Sequence, residues 1–108
     1  MKTDTTIAAT ILDQLGGRKF VAMTGARDFL AGNDYLSFRI PGTLTRKRIN
    51  AVQIRLEPSD TYTVIFFVIR GTKIKEAARH EDIYCDGLAE LFRNVTGLEN
   101  RMPRVIFG

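Results

Sequence analysis

Residues 61–70, TYTVIFFVIR, constrain this chain more than any other stretch. β-branched and aromatic residues fill it, so it reads as a strand. Its apolar residues fall on both alternating sets of positions, so the strand is expected in the interior of a sheet. Its neighbours alternate in the half-buried manner. In YLSFRIP, Leu36, Phe38 and Ile40 share one face, and Tyr35, Ser37 and Arg39 the other. In INAVQIRLE, Val52, Ile54 and Leu56 share a face, with Ala51, Gln53 and Arg55 opposite. RKFVAMTG, with Phe20, Val21 and Met23, is compatible with a further strand, and TKIKEAA follows Gly71 as another. ARDFLAGND supplies turn residues. No long crossover separates these segments, so the sheet should be antiparallel.

Two amphipathic helices flank the strands. Ile7, Ala8, Ile11, Leu12 and Leu15 make one apolar stripe over residues 4–15, with Thr3 or Asp4 as cap and Gly16-Gly17 as stop. Leu88, Leu91, Phe92 and Val95 make another over residues 86–96, with Asp86 as N-cap and Gly97 as C-cap. Both stripes need a surface to bury. The expected fold is α+β, a four- or five-stranded antiparallel sheet with an N-terminal and a C-terminal helix packed on one face. The 108 residues suit a single domain, with 99–108 as a tail or an edge strand.

The chemistry-bearing residues are sparse. Cys85 and His80 are the sole members of their types, which excludes the common zinc sites and any internal disulfide. Cys85 is expected as a small packing residue rather than a nucleophile. Glu81, Asp82 and Asp86 match no calcium loop and read as helix capping. Gly16-Gly17 and Thr24-Gly25-Ala26 fit a helix stop and a turn; neither belongs to a phosphate-loop motif, though Arg18, Lys19 and Arg27 leave an anion site open there. No enzyme, cofactor or metal is expected. The longest apolar run, residues 64–69, is too short to span a bilayer, and Asp4 and Asp13 interrupt the only signal-like segment. A cytoplasmic protein without membrane contact is the expectation.

The electrostatic lead is basic. The formal net charge is +4, and no acid stands between Asp34 and Glu57. If EPSD closes a tight hairpin with Leu56 opposite Thr61, Arg55 pairs with Tyr62, Gln53 with Val64 and Ala51 with Phe66 on an open face. Thr63, Ile65 and Phe67 then join Val52 and Ile54 in the core. The open face would also carry Tyr35 and Arg39 from one neighbouring strand and Lys73 and Lys75 from the other, extended by the loop cations Arg46, Lys47 and Arg48. Cations interleaved with Tyr35 and Tyr62 can meet the phosphates and stack the bases of a single strand. A one-residue change of register would exchange the two faces.

Leu15-Gly16-Gly17, Lys19-Phe20 and Met23-Thr24-Gly25-Ala26, with Tyr84 and Thr96-Gly97-Leu98 near the other end, resemble the pattern of a small, mostly uncharacterised family encoded in bacteriophages and other mobile elements. The resemblance covers most of the chain; residues 43–60 match only as alternation. It implies a phage-related origin and assigns no catalytic residue. The element order is near that of double-stranded-RNA-binding domains, but those place a basic cluster where this chain has the acidic EDIYCDG. Two functions follow as expectations. One is a phage-related protein contacting single-stranded nucleic acid through the basic and aromatic face. The other is a protein-binding module, an inhibitor of a host or defence protein, or a homodimer formed through that same face.

Overall fold

The computed structural model describes residues 5–98. The expected caps Thr3 and Asp4 and the tail 99–108 lie outside the described residues. Helices α1 (Thr6–Leu15) and α2 (Gly17–Thr24) lead into five strands: β1 (Arg27–Ala31), β2 (Tyr35–Arg39), β3 (Ala51–Leu56), β4 (Tyr62–Arg70) and β5 (Lys73–Ile83). Helix α3 (Leu88–Thr96) closes the described chain. The sheet is antiparallel throughout, in the order β1-β2-β3-β4-β5. The helices cover one face of it, giving the two-layer α+β fold.

Two expected elements move. RKFVAMTG is helical, not extended: Phe20 and Thr24, one turn apart, are its buried positions, and Gly25 ends it at φ 73°. The first strand comes later, in the segment expected to turn, and is short and irregular, with a bulge between Arg27 and Leu30. Asp86 does not cap α3; Gly87 is the N-cap and makes no side-chain bond.

Three phenylalanines join the layers. Phe20 of α2 meets Phe38 of β2 edge-on at 5.4 Å and Phe92 of α3 at 5.0 Å, and Phe29 leans on Phe38 at 5.5 Å. Phe20, Phe38, Phe66 and Phe92 are each buried. Burial of one such ring contributes about 2–3 kcal/mol. The two best-marked motifs of the sequence prove to be one device used twice. Thr24 donates its hydroxyl to the Phe20 carbonyl and accepts from the Ala26 amide. Thr96 does the same with Phe92 and Leu98. Each threonine is followed by a glycine in the left-handed region, which ends its helix. The motifs therefore serve helix termination, and they hold two rings that touch.

The β3–β4 turn decides the sidedness of the sheet. Asp60 donates its amide to the Glu57 carbonyl, and Asp60 itself sits at φ 62°. The Glu57 amide donates to the Thr61 carbonyl at 2.8 Å. This is a turn followed by a left-handed residue that forms a bulge, a geometry aspartate tolerates. It absorbs one more residue than the tight hairpin, so Leu56 pairs with Tyr62 rather than Thr61. Every β4 side chain changes face relative to expectation. Tyr62, Val64 and Phe66 turn into the core, and Ile65 and Phe67 turn out.

Candidate nucleic-acid interface

That slip divides the expected basic and aromatic face in two. Tyr35, Arg39 and Arg55 stay on the open face, where Tyr35 pairs with Arg55 and the Arg55 guanidinium carbon lies 5.8 Å from the centre of the Tyr35 ring. Tyr62 leaves it. It is 4% exposed, on the helix side, and pairs with Leu56, while Arg55 pairs with Thr63. Burial pushes the Tyr62 hydroxyl above its ordinary value, opposed by the neighbouring Gln14. A ring buried in this way offers no stacking surface to a base.

Lys73 and Lys75 also lie on the helix side, opposite Arg70 and Val68. Two local features put them there. Gly71, at φ 60°, and Thr72 form a two-residue turn that sets Arg70 against Lys73. A bulge between Ala78 and Glu76 then restores the pairing of Phe66 with Ala78 on the same side. The hairpin end outruns its neighbour β3, whose last pair is Ala51 with Phe67. Asn50 extends that edge with its side chain. Its amide donates to the Ile69 carbonyl at 2.8 Å and accepts from the Ile69 amide at 2.7 Å.

Across from the hairpin stands the 42–48 loop. Thr45 braces it, its hydroxyl 2.6 Å from the Ile49 carbonyl and 3.1 Å from that of Gly42. Lys47 and Arg48 both adopt positive φ, at 55° and 58°, a conformation that costs about 1–2 kcal/mol for a side-chain-bearing residue. Arg46 is engaged elsewhere. It donates to the Asn94 carbonyl at 3.1 Å, near the negative end of α3, and packs over Gly97.

Loop and hairpin flank a shallow, open cleft made of adjoining hollows. One, of about 520 Å³, is lined by Gly42, Thr43, Arg48, Asn50, Val68 and Arg70. The next, of about 650 Å³, is lined by Lys47, Val68, Arg70, Lys73, Ile74 and Lys75. Val68 and Arg70 are common to both. No acid and no aromatic ring lines either hollow among the described residues. The cleft thus gathers the expected Lys47, Arg48, Lys73 and Lys75, and adds Arg70. The two-residue turn was the signal that could have found Arg70, since it places the residues flanking Gly71-Thr72 on one face.

Elsewhere the chemistry is sparse. Cys85 is exposed rather than packed, and among the described residues no hydrogen bond joins it to His80, which sits edge-on to Phe66 at 6.2 Å. No group of three His, Cys, Asp or Glu side chains that could hold a metal occurs among the described residues. No described helix is long and apolar enough to cross a membrane. Comparison of the chain with protein-family models, curated proteins and solved structures finds no match.

Proposed function

We propose that this chain is a non-enzymatic nucleic-acid-binding protein that holds a phosphate backbone in the cleft between the 42–48 loop and the β4–β5 hairpin. One observation carries the reading: Lys47, Arg48, Arg70, Lys73 and Lys75 converge from two segments on a single cleft that no acid lines among the described residues. Cations carried on two facing, hydrogen-bonded segments suit a row of phosphates, and each contact releases condensed counterions. Among the described residues no ring lines the cleft, so the proposed contact is with the backbone and not with stacked bases, and binding is independent of sequence. The phage-related origin implied by the resemblance accommodates such an accessory protein, and a free, exposed Cys85 suits a reducing cytoplasm.

The test is fluorescence anisotropy with single- and double-stranded oligonucleotides over a salt series. Wild type binds at low salt, and the logarithm of its affinity falls against the logarithm of salt with a slope of about −4, as expected for five contacts. Lys73→Glu with Lys75→Glu abolishes binding, whereas Arg55→Glu on the open face leaves it. No binding at low salt, or equal loss from Arg55→Glu, overturns the reading.

A further inference from the structure

Lys47 borders two hollows, not one. On its far side from the hairpin end lies a further hollow of about 250 Å³, between the 42–48 loop, β5 and the end of α3. Arg46, Lys47 and His80 line it, with Ile49, Ala78 and Val95 as apolar wall. Arg46 is held there from behind by its bond to the Asn94 carbonyl, which answers the negative end of α3 and uses one of the five guanidinium N–H groups. His80 is half-buried, edge-on to Phe66, and among the described residues no hydrogen bond or ion pair engages its nitrogens. The charges around it are of one sign. Its partner on β4 is the apolar Val64. In its own strand Arg79 pairs with Glu76 on the open face. Glu81 and Asp82 fall in the irregular stretch between the Val64–His80 and Tyr62–Ile83 pairs, and neither lines the hollow. Helix α3 contributes the uncharged Asn94 and Val95.

We infer that this hollow takes the phosphate next in line to those in the cleft, and that His80 pairs with it as the imidazolium, so that the chain binds nucleic acid more tightly at mildly acid pH. The inference rests on the cleft reading, because Lys47 is common to both hollows and passes the backbone from one to the other. Without a guest, a protonated His80 faces Arg46 and Lys47 with no carboxylate between them. A phosphate placed among the three turns that repulsion into charge-assisted hydrogen bonds. Histidine is the side chain whose charge changes between about pH 5 and 8, and His80 is the one histidine of the chain. A phosphodiester keeps its single charge over that range. The pH response therefore comes from the protein, and affinity rises as pH falls.

The experiment is fluorescence anisotropy of the full chain with a thymidine oligonucleotide that carries no terminal phosphate, over a salt series at about pH 8 and about pH 5.5, the two sides of the histidine range. From the higher pH to the lower, wild-type affinity should rise roughly fivefold, as for one partly exposed ion pair. The slope of log affinity against log salt should steepen by about 0.7, one further contact on a single strand. His80→Gln keeps a polar side chain that takes no proton. It should match wild type at the higher pH and show neither change; equal thermal unfolding midpoints there verify its fold, and the wild-type response tests the inference without it. A wild type that binds equally at both pH values overturns the inference and leaves the cleft reading standing, as does a His80→Gln variant with the full pH response. No binding at either pH overturns the cleft reading and this inference with it.

Discussion

Phe66 and Phe67 are sequence neighbours with opposite surroundings. Phe66 is 0% exposed under the helices. Phe67 is half-buried on the open face, opposite Glu76 and Ala51. The same residue type thus does two jobs one position apart. Inside, the ring holds the layers together; outside, it lies between Ile65 and Ile69 on a face that no described element covers. The cations divide likewise, Arg39 and Arg55 with Phe67, and Lys73 and Lys75 on the side of Phe66. The assignment of β4 side chains to faces follows from the left-handed Asp60.

The largest effect should break the symmetry of the two rings. Phe66→Ala should destabilise the chain by about 3–5 kcal/mol through lost transfer energy and a cavity. Phe67→Ala, measured by urea unfolding of dilute protein, should cost only about 1 kcal/mol. Comparable losses would mean that the two faces are not distinct. Asp60→Val comes next. A β-branched residue at positive φ is strained, and about 2 kcal/mol of destabilisation is expected, whereas Asp60→Gly should be neutral or stabilising. Asn50→Ala should cost about 1 kcal/mol by removing the side-chain pairing with Ile69. Its amide exchange should quicken at Ile69 and Arg70, with the β3–β4 core pairs unchanged.

The smallest effect is alkaline. The folded chain holds the Tyr62 proton more tightly than the ordinary value of 10.0. Below that pH both states keep the proton. Above it the unfolded chain releases it first, so stability falls as pH rises until the folded value is passed. Tyr62→Phe should flatten that decline in chemical denaturation curves. A decline unchanged in the variant would place Tyr62 outside the core.

Much of the fold was readable from periodicity. Helices α1 and α3 and strands β2 and β3 announce themselves because each buries only one face. Helix α2 does not, since eight residues hold barely two turns and Phe20-Val21 also suits a strand. Alternation says which residues share a face but not which face is covered. With β4 apolar on both sides, that choice passed to the turn, where one aspartate in the left-handed region exchanged the faces. The basic cleft was half readable for the same reason: its charges stood out in the sequence, and their grouping depended on two turns and a bulge. The Thr-Gly motifs looked like signatures of function and are helix ends, because a hydroxyl that bridges a carbonyl and an amide needs the same residues wherever a helix stops this way.

The central claim is that the cations of the cleft, and not those of the open face, meet nucleic acid. Amide chemical shifts of the full chain, followed during titration with a short oligonucleotide at low salt and constant protein concentration, test it directly. The account predicts movement at Thr43, Lys47, Arg48, Arg70, Lys73 and Lys75, with Tyr35, Gln53 and Arg55 still. Movement concentrated on Tyr35, Gln53 and Arg55, with the cleft still, would contradict it.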